Sequence, residues 1–159
     1  MSKSSLAKSV ATGEPDLIDI LIYFEHKESK NGSSRLKVLD PEEAQKSIEE
    51  WKKADHEEDA ECPIETLNTK WQSASWLEQN RIIAGSQSVN PGNGQLEGDF
   101  IKYRDLRIKS LLVDWDLEHD NQKIPVTPEF IDRLPAEIVL ALFDKYERLM
   151  VLDGDEQGK

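Results

Sequence analysis

The sequence predicts a mixed α+β protein, mainly helical, with an N-terminal β-hairpin packed on or beside about four helices. Three observations carry this. Leu17 to Phe24 is a short run rich in β-branched and aromatic residues, the signature of a strand. Ile101, Ile108, Leu112 and Trp115 recur at steps of seven, four and three, which share one side of a 3.6-residue helix. Ile138, Leu142, Tyr146 and Leu149 repeat the pattern after a proline-marked turn.

Taken in order, Met1 to Asp16 is rich in Ser, Ala, Gly and Lys and reads as a flexible arm (1–16). Leu17 to Phe24 and a second apolar run at Leu36, Val38 and Leu39 flank Asn31-Gly32, a turn signal that makes them a hairpin. Two strands alone are marginal, so the hairpin must pack on helices or gain strands from another chain. Asp40-Pro41-Glu42-Glu43 has the form of a helix start, with Asp40 as cap and Pro41 in the first position. Ala44, Ile48 and Trp51 then lie on one side.

Between Asp40 and Glu61 there are ten acidic residues and three lysines, a net of −7. Such a run forms a solvated face, or a docking surface for a basic partner. Leu67, Trp71 and Trp76 open a second helical area, in which Ser75 and Glu78 match a capping box. Ser86 to Gly98 holds three glycines and a proline, which suits a flexible linker (85–98) between an N-terminal part (17–84) and a C-terminal helical part (99–152).

In the C-terminal part, the helix containing Ile101 and Trp115 is expected to pair antiparallel with the last helix. Between them, Thr127 caps a short helix with Pro128 at its first position. The expected core is Trp71, Ile101, Ile108, Leu112, Trp115, Phe130, Ile138, Leu142 and Tyr146. Nothing in 153–159 supplies a reason for order, and these residues read as a flexible tail.

The chain has 159 residues, enough for one ordinary domain, and a net charge of −12 with 37% hydrophobic residues. That charge argues against nucleic acid as a direct partner, since backbone binding needs a basic surface. Cys62 is the sole cysteine, so an internal disulfide is impossible. Neither a signal peptide nor an apolar run long enough for a bilayer is visible, and a cytoplasmic protein is the simplest expectation.

The sequence offers no chemistry. His26, His56 and His119 lack metal-site spacing. Asp114, Asp116, Glu118 and Asp120 alternate around Trp115, but position twelve from Asp114 is Pro125, where a calcium loop needs glutamate. Asn90-Pro91-Gly92-Asn93-Gly94 lacks the Gly-Lys-Ser/Thr continuation of a phosphate loop. No catalytic residue, metal or cofactor is therefore expected, and the protein reads as a non-enzyme.

One resemblance covers roughly Asp16 to Leu149. Trp71 followed by Ala74-Ser75-Trp76-Leu77-Glu78-Gln79-Asn80, a glycine-rich loop, Tyr103 through Leu117, Ile124-Pro125-Val126-Thr127-Pro128-Glu129 and Ile131-Asp132-Arg133-Leu134-Pro135 resembles the tail assembly chaperones of long-tailed bacteriophages. The resemblance implies a non-enzymatic protein of the infected host cytoplasm. It would bind and solubilise the tape measure protein and promote polymerisation of the tail tube protein. A longer, frameshifted form of itself and self-association are further implied partners. Apolar positions beyond the needs of a core, Trp76, Ile83, Tyr103, Leu106, Phe143 and Met150, are the candidate client contacts. The competing readings are a structural virion protein (a tail or head-completion subunit) and a small acidic adaptor.

Overall fold

The computed structural model describes residues 3–28, 30–32 and 34–157. Its elements are α1 (Lys3–Thr12), β1 (Leu17–Glu28), β2 (Ser34–Leu39), α2 (Pro41–Lys53), β3 (Ile64–Gln72), α3 (Trp76–Gly85), β4 (Gln87–Val89) and β5 (Leu96–Gly98). They continue with α4 (Phe100–Leu111), β6 (Leu112–Trp115), β7 (Glu118–His119), β8 (Gln122–Lys123), α5 (Pro128–Asp132) and α6 (Ala136–Gln157). The fold is α+β, and β1 and β2 form the expected antiparallel pair.

That pair is half of a larger sheet. The strand order is β2-β1-β3-β6, with β3 antiparallel to both neighbours. Alternation decides which face is buried. Ile20 and Ile22 of β1, Leu67, Thr69 and Trp71 of β3, and Leu112 and Trp115 of β6 are buried on one face. Four helices complete that core, through Ile82 of α3, Ile108 and Leu111 of α4, Ile131 of α5, and Ile138, Leu142 and Tyr146 of α6. At one end of the opposite face, Ala44 and Ile48 of α2 close a smaller cluster with Tyr23, Leu39 and Ile64.

Two expected helical stretches are strand instead. Leu67 and Trp71 lie in β3, and Trp115 lies in β6 after α4 stops at Leu111. Cross-strand pairing of Thr69 with Trp115 and Trp71 with Leu112 stabilises the extended backbone at both places. The buried Thr69 hydroxyl donates to the Ile20 carbonyl and accepts from Trp71 Nε1, both at 2.9 Å, so a polar residue occupies a core position at no unsatisfied cost. Trp115 Nε1 likewise donates to the Ile124 carbonyl.

The helix starts follow the caps written in the sequence. Asp40, Ser75 and Thr127 each accept a backbone N–H at the start of α2, α3 and α5. In place of a long α4–α6 pair, α4 packs lengthwise on α3, and α6 lies across β1 and β2.

Three segments expected to be irregular carry regular structure. Lys3–Thr12 is helical, although none of its residues is buried. Gln87–Val89 and Leu96–Gly98 form a hairpin, closed because Asn90 Oδ1 accepts the Gly92 amide at 2.7 Å and Gly94 adopts φ +69°. Helix α6 continues past Leu152 to Gln157. The parts on either side of the hairpin share one core.

Candidate apolar interaction surface

The surface is built where α3, the β4–β5 hairpin and the first turn of α4 meet. Helix α3 leads into the hairpin with Ser86 as its C-cap, and the Asp99 amide donates to the Ser86 carbonyl at 2.9 Å. At the other end of the helix pair, Gln72 Nε2 donates to the Ser110 carbonyl at 2.9 Å. The two helices therefore run antiparallel, with the hairpin at the start of α4.

Asp99 caps α4, accepting from the Ile101 and Lys102 amides at 3.0 and 3.2 Å and from the Ser88 hydroxyl. The Lys102 amide, aided by Ser88 and the Ile101 amide, holds its carboxyl below the usual carboxylate range. In the first turn of α4, Phe100 and Ile101 are both exposed, Ile101 at 69%. Ile101 is thus not the core residue its spacing suggests. The packed side of α4 is set further along by Ile108 and Leu111, and its first turn projects past that core.

Two shallow hollows share Ile101. One, of about 510 Å³, is lined by Val89, Pro91, Glu97, Asp99 and Phe100 among others. The second, of about 420 Å³, runs between α4, α5 and α6 past Ile108, Ile131, Leu134, Val139 and Leu140. Val89, Leu96, Phe100 and Leu140 are exposed. Exposed apolar side chains beside two neighbouring hollows make this a candidate interaction site.

The six candidate contacts from the sequence are split. Trp76 is 81% exposed and Ile83 44% exposed, and at seven residues apart they share a face of α3. Tyr103 and Leu106 are partly buried. The Tyr103 hydroxyl accepts from Gln79 Nε2 at 3.4 Å. Leu106 Cδ1 lies only 3.0 Å from where a Cβ on Gly85 would stand, so it is engaged between the helices. Phe143 and Met150 are partly buried against the main core.

Leu77, Val89, Leu96, Phe100 and Leu140 escaped the sequence reading, yet they are exposed. A signal existed for two of them: Val89 and Leu96 are lone apolar residues inside a turn-forming segment, with no periodic stripe to join.

Behind this surface lies a buried polar contact. Arg107 is 7% exposed. Its Nε pairs with Glu147 of α6 and its Nη1 donates to Gln79 Oε1 of α3 at 2.8 Å. The guanidinium also sits near the Tyr103 and Tyr146 rings, 5.9 and 5.4 Å from their centroids. One planar cation thus ties three helices together.

Among the described residues, no group of three or more His, Cys, Asp or Glu side chains is placed to hold a metal ion. No helix among them is long and apolar enough to cross a membrane. No protein-family model, curated protein or solved structure matches the chain significantly.

Proposed function

We propose that the protein is a non-enzymatic assembly chaperone of a long-tailed bacteriophage. It binds the apolar helices of a tape measure protein in the host cytoplasm, keeps them soluble, and promotes assembly of the tail tube around them. The observation that most supports this reading is the apolar strip of Val89, Phe100, Ile101 and Leu140 on a chain of net charge −12.

An amphipathic client helix needs an exposed apolar groove, and a surrounding excess of negative charge keeps the loaded complex soluble. Trp76 and Ile83 offer further exposed apolar surface on α3. The resemblance of Trp71–Asn80 and Tyr103–Leu117 to the tail assembly chaperones supports the same reading.

The test is affinity capture of this chain from infected cells, with proteomics of the eluate and of purified particles. A very long helical tape measure protein in the eluate, with this chain missing from particles, is the expected result. Stoichiometric presence in the particle would replace the chaperone reading with that of a structural subunit.

A further inference from the structure

The chain contains two Asn-Gly pairs, Asn31-Gly32 and Asn93-Gly94, each between the strands of a hairpin. In such a pair the backbone nitrogen after the asparagine can reach the asparagine side-chain carbon, because glycine has no side chain to block the approach. The two sites are alike in backbone and in access to water. Gly32 and Gly94 take φ +76° and +69°, and no atom stands within 4 Å of where a Cβ on either would lie. All four residues are exposed.

They differ in what holds them. The Gly94 amide donates to the Asn90 carbonyl at 2.8 Å, and Asn93 Oδ1 accepts from the Gln95 amide at 2.9 Å. The Asn90 amide donates in turn to the Gln95 carbonyl at 2.8 Å. Both groups that would have to meet are therefore engaged elsewhere, the nitrogen through its proton and the side-chain carbonyl through another amide. Among the described residues, neither the Gly32 amide nor the Asn31 side chain has a hydrogen-bond partner.

We propose that Asn31 is a self-modification site that deamidates through a cyclic imide, while the fold protects Asn93 in the same dipeptide. The Gly32 nitrogen gives up its proton and attacks Asn31 Cγ. The bond from Cγ to the side-chain nitrogen breaks, and ammonia leaves with that proton. Water then opens the ring. Cleavage between the nitrogen and Cγ yields aspartate, and cleavage between the nitrogen and the main-chain carbonyl carbon yields isoaspartate. Nothing is oxidised or reduced.

Either product places a new carboxylate between Glu28 and Ser34, the last paired residues of β1 and β2. The isoaspartate form also lengthens the main chain of that connection by one carbon. Strand β2 lies at the sheet edge with β1 as its sole strand neighbour, so this connection helps to fix its register. The site is independent of which client the protein binds.

The test incubates the full chain at mildly alkaline pH and maps its peptides by mass spectrometry, with isoaspartate counted by enzymatic methylation. Asn31 should convert at least about tenfold faster than Asn93, whose two hydrogen bonds must break before the ring can close. In denaturing urea the two sites should react at similar rates. Asn31→Gln, which would have to close a larger and slower ring, should remove the fast-forming product and leave the circular dichroism spectrum unchanged. Equal rates in the folded protein, faster conversion of Asn93, or a rate difference that survives in urea would each overturn the proposal.

Discussion

Trp71 of β3 and Tyr146 of α6 stack with ring centroids 4.8 Å apart and planes 24° from parallel. Both are fully buried, and the Tyr146 hydroxyl donates to the Gln72 carbonyl at 3.0 Å. This pair joins the central strand to the last helix. Trp71→Ala should destabilise the protein by about 3–5 kcal/mol, the usual cost of emptying a large aromatic site. Tyr146→Phe should cost about 1 kcal/mol through the lost hydrogen bond. Urea denaturation of the two variants checks both values.

Burial raises the Tyr146 pKa above its ordinary value of 10.0. A raised folded pKa gives stability that is complete below the unfolded value and is lost as pH climbs through the folded one. Stability should therefore fall above about pH 10. Tyr146→Phe, which cannot titrate, should flatten that decline in denaturation curves measured across the alkaline range.

Removing Arg107 leaves Glu147 and Gln79 without their shared donor. Arg107→Met should cost about 1.5–3 kcal/mol, the range for hydrogen bonds to charged groups. Arg107→Lys should recover little, because an ammonium reproduces neither the fork nor the planar contact with Tyr103 and Tyr146. A double-mutant cycle with Glu147→Gln measures the coupling, and additive losses would contradict it.

Asp99 is held ionised by the amides it caps, first that of Lys102. A depressed folded pKa gives stability present above the unfolded value of 3.8 and lost as pH falls from there through the folded one. Asp99→Asn should keep the cap, since asparagine caps as well as aspartate, while weakening the acid dependence. Thermal melts from neutral pH down to pH 3 would show two curves that differ in slope only at the acid end.

Trp76 contributes exposed surface rather than core. Trp76→Ala should change stability within about 0.5 kcal/mol. If the residue anchors a client, the same change should weaken client binding by 2 kcal/mol or more, roughly thirtyfold. Denaturation and client titration of one variant separate the two effects.

The caps at Asp40, Ser75 and Thr127 and the β1–β2 hairpin were legible because each depends on neighbours within a few residues. Trp71 was not. Leu67, Thr69 and Trp71 alternate as a strand should, but the buried Thr69 reads as polar. The four-residue step from Leu67 to Trp71 fits a helix equally well. Trp115 failed for a related reason: its steps from Ile108 and Leu112 are helical, and only pairing with β3, more than forty residues earlier, turns the backbone. Strand preference at such places follows tertiary context.

Of the surplus apolar positions named from the sequence, Trp76 and Ile83 are exposed. The spacing could not foresee that Ile101, in the first turn of α4, would be exposed.

The stacking of Trp71 on Tyr146 also sets a schedule for the newborn chain. Leu17 pairs with Gln72, so three strands can assemble soon after β3 emerges, but their greasy side is fully covered only when α6 arrives. At ribosomal speeds of roughly 5–20 residues per second, that wait lasts about 4–15 s. During those seconds the nascent protein is itself in need of protection.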